Sequence, residues 1–311
     1  MTHSETLLAA GDGAAIPITM WTPDADKPRG AIHLVHGMAE YAARYARLAS
    51  RLSDAGFVVW AHDQRGHGRT TGTRLHLADH DGWARAVDDL HHVTAALRAQ
   101  HPAVPTFLLG HSMGSSVARS AAMADDGALS GLVLTGLSGD PGRLGALGRA
   151  IAAAEARLRG PRARSRLMSN LTFGRFNAHF KDARTRLDWL SRDPEEVDAY
   201  IADPLCGGVA TAAFYRDLLD GVRAINRDDN VARLRSDLPV LVMSGDADPV
   251  GDMGRGVRGV VDQLHRHGMT DVTAHLYPGA RHEVFNEINR DAVTDELIAW
   301  LTPRVGTSGQ S

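Results

Sequence analysis

A serine between two glycines is the first feature of the sequence that could carry chemistry. Residues 110–114 are Gly-His-Ser-Met-Gly, and the apolar residues 106–109 directly precede them. A helical pattern begins at residue 115. A G-x-S-x-G turn between a strand and a helix is typical of a nucleophile elbow, in which the glycines make room for a strained serine backbone. The pattern therefore predicts that Ser112 is a catalytic nucleophile.

A serine hydroxyl needs a base to remove its proton and an acid to orient that base. In proteins with a nucleophile elbow, the acid and then the histidine follow the serine along the chain. Asp246 and Asp248 come directly after the apolar residues 240–243, and His282 lies in a loop after residues 272–277. We expect His282 and one of these aspartates to complete a triad. The residues alone do not decide between Asp246 and Asp248.

A third element of this chemistry is the loop 36–40, His-Gly-Met-Ala-Glu, which follows the apolar residues 31–35. A glycine-containing loop in this place can direct a backbone N–H toward the oxyanion that develops during acyl transfer. The second donor is expected from the residue that follows the nucleophile. The sequence therefore predicts that the N–H groups of Met38 and Met113 form an oxyanion hole.

Short apolar runs alternate with helical periodicity over most of the chain, and this alternation predicts the elements that must position these residues. The predicted strands are 15–22, 31–35, 57–61, 106–109, 132–135, 240–243 and 272–277. The predicted helices are 41–55, 83–100, 115–124, 254–266 and 292–301. Such an alternation indicates an α/β protein with a mostly parallel central sheet and helices on both faces.

Between residues 137 and 225 the alternation stops, and the sequence predicts helices and loops without a strand. We interpret 137–225 as an inserted helical cap, or lid, on a core formed by 1–136 and 226–311. The insertion holds seven of the 17 aromatic residues, and apolar side chains of this kind could line an acyl site. The candidate substrate-binding residues are Phe173, Phe176, Phe180 and Tyr215, and the alternative is that they form the core of the cap.

One stretch of the cap, with Leu144, Leu147, Ile151 and Leu158, is spaced like an amphipathic helix. Packing onto the core is its commoner role, and we expect that here. Contact with a membrane or a second subunit is the alternative. The sequence does not predict an oligomeric state.

Composition excludes several classes of protein. The 311 residues carry a formal charge of −3, whereas nucleic-acid-binding domains are strongly basic. The lone Cys206 excludes an internal disulfide and a cysteine-rich zinc module. No apolar run reaches the roughly 18 residues of a membrane span, and no signal-peptide pattern is present, so we expect a cytoplasmic protein. We expect the tail, 306–311, to be disordered and the arginines to be scattered.

Sixteen histidines raise the question of a metal site. His91 and His92 are adjacent on a predicted helix and point in different directions. His62, Asp63 and His67 lie in a glycine-rich loop that contains no recognised zinc spacing. We predict neither a metal nor a cofactor.

These motifs resemble those of α/β-hydrolases in the monoacylglycerol lipase and lysophospholipase group, which is also classed with serine aminopeptidases. The similar segments are 36–40, 63–68, 110–114, 245–249 and 279–282, and the cap segments 188–193 and 203–206 resemble those of bacterial members. The resemblance implies an α/β-hydrolase fold with a lid and identifies Asp248 as the triad acid.

The function favoured by residues and resemblance is a serine hydrolase that cleaves carboxylic esters of single-chain lipids. The expected partner is a small-molecule acyl ester or lipid substrate, and no nucleic acid is expected. An aminopeptidase or amidase is the first alternative, and it would need a carboxylate in the cap to bind a free amine. Glu195, Glu196 and Asp198 are the available groups, although they resemble a solvated helix start. A non-catalytic binding protein is the second alternative, but all three triad positions are filled.

Overall fold

The computed structural model describes residues 1–305 apart from 26, 126 and 175, so the tail predicted to be disordered lies outside the described residues. The described residues form eight strands: β1 Thr2–Ala9, β2 Ala15–Thr22, β3 Gly30–Val35, β4 Phe57–His62, β5 Thr106–His111, β6 Gly131–Thr135, β7 Val240–Gly245 and β8 Val272–Tyr277. They pair into one sheet in the order β1-β2-β4-β3-β5-β6-β7-β8. β2 pairs antiparallel with β1 and β4, and all other pairs are parallel, which confirms the predicted α/β architecture.

The same residues form ten α-helices: α1 Ala46–Asp54, α2 Gly82–Gln100, α3 Met113–Ala122, α4 Gly142–Arg159, α5 Arg166–Phe173, α6 Pro194–Ala202, α7 Ala212–Ile225, α8 Asp228–Val231, α9 Arg255–Arg266 and α10 Arg290–Leu301. Short 3-10 helices cover Ala42–Tyr45, Phe176–His179, Val284–Asn286 and Thr302–Val305. Among the described helices, none combines the length and the hydropathy of a membrane span.

The central strands are buried on both faces because successive side chains of a strand point to opposite sides of the sheet. On β5, Leu108 belongs to one apolar cluster and Leu109 to the other. The Leu108 cluster includes side chains from α2, α3 and α9, and the Leu109 cluster includes side chains from α1 and α10. Helices therefore cover both faces, and the carboxyl ends of the parallel strands meet at one edge.

Two elements differ from the sequence-based expectations. Strand β1 was not predicted, because its residues are almost all exposed and carry no apolar alternation. Its strand conformation depends on antiparallel pairing with β2, from Thr2 opposite Thr22 to Ala9 opposite Ala15. The predicted helix 41–55 consists of a 3-10 turn followed by α1.

Helices α4, α5, α6 and α7 lie between β6 and β7, within the predicted insertion. In the described part of 137–225, strand-like pairing is limited to a single bridge between Arg164 and Thr211. The division into a core and a cap at 137 and 225 stays a prediction. The expectation that the leucines of α4 pack onto the core is wrong, because Leu144, Leu147 and Leu158 are exposed, and only the partly buried Ile151 packs against the core.

Buried histidines in the sheet and in the loop after β4 make the fold sensitive to acid. His33 Nδ1 lies 2.8 Å from the Thr94 hydroxyl, and His33 Nε2 lies 2.8 Å from His62 Nδ1. Burial lowers the pKa of His33 and of His67 to about 3, and it also lowers the pKa of His62. Because the folded state holds these rings neutral, the unfolded state binds more protons below pH 6.5. The free energy of unfolding therefore decreases as the pH is lowered below this value.

We expect His67→Asn to reduce this acid dependence. One such histidine destabilises the folded state by about 1.4 kcal/mol for each pH unit between its ordinary pKa and its lowered pKa. Urea denaturation between pH 6 and pH 4 measures the slope of the unfolding free energy against pH, and His67→Asn is expected to make it shallower by about that amount. The exposed His3 supplies the control, and an equal change of slope in His3→Gln would contradict the assignment.

Candidate active site

The turn between β5 and α3 holds Ser112 in a backbone conformation that few residues adopt. Its φ is 53° and its ψ is −120°. A Cβ atom at Gly110 would lie 2.5 Å from the carbonyl oxygen of Gly114, and one at Gly114 would lie 2.1 Å from that of Val35. Only glycine fits these two places, and the strain at Ser112 is of the kind that functional sites retain. The local structure is that of a nucleophile elbow.

Asp248 and His282 lie in contact after the ends of neighbouring strands β7 and β8. His282 Nδ1 is 2.9 Å from Asp248 Oδ2, and Asp248 Oδ1 accepts a hydrogen bond from the Val250 N–H at 2.8 Å. Asp246 instead accepts the Gly279 N–H at 2.6 Å and supports the loop before His282. The structure therefore brings Asp248, and not Asp246, to the histidine.

The electrostatics around His282 favour a strong base. Burial disfavours the imidazolium, but the Asp248 carboxylate and its hydrogen bond outweigh burial and raise the pKa of His282 above its ordinary value. The neighbouring His111, whose ring centroid lies 4.7 Å away, stays neutral because burial lowers its pKa to about 4. One ring of this pair is thus prepared to accept a proton near neutral pH.

Ser112 and His282 open into one cavity of about 380 Å³, which is within the range of small-molecule sites. Met38 and Met113, the two residues predicted to supply oxyanion donors, also line it. Met113 is the first residue of α3, and N–H groups in the first turn of a helix have no partner within the helix. The structure therefore brings Ser112, His282 and the two predicted oxyanion residues together around one space, with Asp248 buried behind His282.

The four aromatic candidates for substrate binding divide into two pairs. Phe173 and Phe176 line the cavity together with Trp189, whose ring centroid lies 5.1 Å from that of His282. Phe180 does not line it, because its ring stacks against the Arg281 guanidinium at 4.2 Å. Tyr215 does not line it either, since it is 1% exposed within the apolar core.

The second half of helix α7 lines one wall of the cavity. The side chains at this wall that sequence reasoning did not identify are Leu218, Leu219 and Val222. The aromatic content of the cap drew attention to Tyr215 and away from these aliphatic residues. Their helical spacing gives one face of α7, but only the packed structure shows which face meets the substrate space.

A buried ion-pair network joins the oxyanion loop to the histidine loop. Glu40 Oε1 accepts the Gly37 N–H at 2.5 Å, and Glu40 Oε2 accepts from Arg44 at 2.7 Å. Arg44 also donates two hydrogen bonds of 2.8 Å to Glu283, the neighbour of His282. Burial opposes the charge on Glu283, but Arg44 outweighs burial and lowers the pKa of Glu283 to about 2. The network therefore fixes the position of the oxyanion loop relative to the loop that carries His282.

We expect Glu40→Gln to lower kcat by about 10- to 100-fold with little change in KM. The amide cannot accept hydrogen bonds from both Gly37 and Arg44, so the loop that carries Met38 shifts, and small displacements of reacting groups have effects of this size. Steady-state kinetics on a short soluble ester measures the change. Glu195→Gln, at an exposed cap residue, is the control, and equal kinetics in both variants would rule out this role of Glu40.

The residues considered for a metal serve the structure in other ways. Asp63 accepts hydrogen bonds from the N–H groups of Ala42 and Arg69 and from the Arg69 side chain. His62 pairs with His33. Among the described residues, no group of three or more His, Cys, Asp or Glu side chains is arranged to hold a metal ion.

Comparisons with known proteins relate the chain to serine hydrolases. The family model described as serine aminopeptidase, S33, matches residues 26–289. A monoacylglycerol lipase of Mycolicibacterium smegmatis is 35% identical over 96% of this chain and 97% of its own length. A monoglyceride lipase of Mus musculus is 30% identical over 97% of this chain and 91% of its own length. The crystal structure of a thermostable carboxyl esterase from Bacillus coagulans in complex with glycerol matches with a TM-score of 0.91 and 28% identity, covering 98% of this chain and all of that one.

Proposed function

The chain belongs to the serine aminopeptidase S33 family of α/β-hydrolases, and from this membership we propose that it is a serine hydrolase that cleaves carboxylic esters of single-chain lipids. We propose monoacylglycerols as the substrate class, because the relatives in Mycolicibacterium smegmatis and Mus musculus are a monoacylglycerol lipase and a monoglyceride lipase. The single observation that carries the proposal is the largely apolar cavity that contains both Ser112 and His282. An acyl chain fits such a space.

In the proposed mechanism, the Ser112 hydroxyl attacks the acyl carbonyl and His282 takes its proton. Asp248 orients the imidazole and stabilises its charged form. The N–H groups of Met38 and Met113 bind the oxyanion of the tetrahedral intermediate. His282 then donates the proton to the departing alcohol, and water activated by the same histidine hydrolyses the acyl-enzyme.

An aminopeptidase would need a carboxylate without an ion-pair partner in this cavity, and the described residues provide none there. Glu195, Glu196 and Asp198 do not line it, and the last two pair with Arg47 and Arg184. Glu40 and Glu283 line it, but both carboxylates are held in ion pairs with Arg44. A free amine would therefore find no carboxylate without an ion-pair partner beside Ser112. This observation favours ester hydrolysis over release of N-terminal residues.

We also propose that the cap contacts the lipid phase in which such substrates reside. Helix α5 exposes Leu167 and Leu171 on its outer side and directs Ser169, Thr172 and Phe173 toward the cavity. A lipid surface in contact with these leucines would therefore touch the same helix that lines the cavity. A cytoplasmic location remains a prediction from the sequence.

An acyl-length series tests the proposed substrate class. With nitrophenyl esters from acetate to palmitate, kcat/KM is expected to rise about fourfold for each methylene group that the cavity buries. Phe173→Ala is expected to reduce the preference for long chains about tenfold. Phe180→Ala serves as the matched control, because Phe180 lies outside the cavity. Faster hydrolysis of aminoacyl anilides than of any ester would overturn the proposal.

A further inference from the structure

The charges of this chain are segregated, contrary to the expectation that the arginines are scattered. Residues 143–186 contain 11 of the 34 lysines and arginines but only 2 of the 37 aspartates and glutamates. The segment therefore carries a formal charge of +9. The remaining residues, with 23 basic and 35 acidic groups, carry −12. The near-neutral total conceals a strongly basic segment within the cap.

Several of these cations have no local counterion. In the described part of the chain, six exposed cations of the segment have no carboxylate within 4.0 Å: Arg143, Arg157, Arg164, Arg166, Lys181 and Arg186. Arg164 donates instead to the backbone carbonyls of Arg74 and Val209. By contrast, Arg149 pairs with Asp220, and Arg162 pairs with Asp79. The unpaired cations are thus available to an anionic partner.

The same segment exposes most of the apolar surface. Of nine large apolar side chains that are exposed in the described residues, five lie on α4 and α5: Leu144, Leu147, Leu158, Leu167 and Leu171. Their exposed fractions range from 52% at Leu167 to 83% at Leu158. Exposed leucines concentrated in this way mark an interaction surface, because isolated apolar side chains are otherwise scattered over a protein.

We propose that this basic cap surface, formed by the five leucines with Arg143, Arg157 and Arg166, docks on lipid bilayers that contain anionic phospholipids. The inference rests on the proposed function and adds the charge of the lipid surface. Leucines inserted at the acyl boundary and guanidinium groups at the phosphates are the combination that binds interfacial helices to such membranes.

The charge of the remaining residues favours an orientation in which the cap faces the membrane. Its charge of −12 is repelled by an anionic surface, while the +9 segment is attracted, so the electric field turns the cap toward the membrane. Phe173 of α5 lines the catalytic cavity, and Leu171 is exposed two residues earlier on the same helix. Docking in this orientation therefore brings the cavity next to the lipid.

Vesicle sedimentation with the full chain tests the proposal. Binding to vesicles of phosphatidylcholine with phosphatidylglycerol is expected to exceed binding to phosphatidylcholine alone at least tenfold. The triple variant Arg143→Gln, Arg157→Gln, Arg166→Gln is expected to lose about a hundredfold, since each cation near such a surface contributes a factor of about five. Molar salt is expected to abolish the difference, because it screens these charges.

The matched control changes the same charge elsewhere, at Arg98, Arg233 and Arg266, which are exposed outside the cap. This control triple is expected to lose less than threefold. Equal binding to both vesicle types, or equal losses in the two triples, would overturn the proposal. Hydrolysis of a short soluble ester is measured in parallel. Its retention in the cap triple separates this inference from the proposed ester hydrolysis, which fails only if that activity is absent from the wild type.

Discussion

Replacing Ser112 by alanine is expected to lower kcat for ester hydrolysis by about 10⁶. The substitution removes the oxygen that forms the acyl-enzyme, so that only the oxyanion donors and the binding cavity remain to accelerate attack by water. Alanine has a Cβ atom like serine, and the turn already accommodates a Cβ atom at a φ of 53°. We therefore expect the fold to persist, and matching thermal unfolding curves check this.

Two measurements define the outcome for Ser112. Steady-state turnover of a soluble nitrophenyl ester gives kcat, and labelling with a fluorophosphonate probe reports whether the serine is activated. Ser116, which lines the same cavity four residues later, is the matched control, and Ser116→Ala is expected to keep kcat within tenfold. A Ser112→Ala variant with wild-type turnover, or a wild type that resists the probe, would contradict the nucleophile assignment.

Asp248→Asn is expected to lower kcat by about 10⁴, an effect found when a triad aspartate loses its charge and the histidine takes the wrong tautomer. Asp248 is fully buried and holds His282 Nδ1 at 2.9 Å. Asp246→Asn is the matched control, because Asp246 contacts Gly279 and not the histidine. We expect it to keep kcat within tenfold, and a larger loss in Asp246→Asn than in Asp248→Asn would reverse the assignment.

The pH profile gives an independent readout of Asp248. His282 acts as a base only when neutral, so the rate falls on the acid side as the ring becomes protonated. In the wild type this limb is expected above pH 6.5, because Asp248 raises the pKa of His282. Removing the carboxylate leaves burial, which lowers that pKa. The residual activity of Asp248→Asn is therefore expected to persist to lower pH than that of the wild type.

Much of the catalytic centre could be predicted without coordinates, because its signals are local in the chain. The glycines around Ser112 reflect a turn that no larger residue fits, and the apolar runs before Ser112 and His282 predict that both follow strands. The carboxyl ends of parallel strands meet at one edge, so local patterns were enough to bring these residues together. Strand β1 escaped prediction because its conformation comes from pairing with β2 rather than from its own pattern.

By itself, then, the sequence determined the α/β class and predicted Ser112 and His282 as catalytic residues. It also contains the charge segregation that makes residues 143–186 basic, although the arginines were expected to be scattered. The resemblance implied that Asp248 is the triad acid, and the tertiary structure places it, rather than Asp246, against His282. Only the tertiary structure decided that α7 buries Tyr215 in the core and that α4 exposes its leucines. Sequence spacing specifies which residues share a helix face or a loop, but not what that face or loop contacts. Those contacts depend on packing between segments that are distant in the chain.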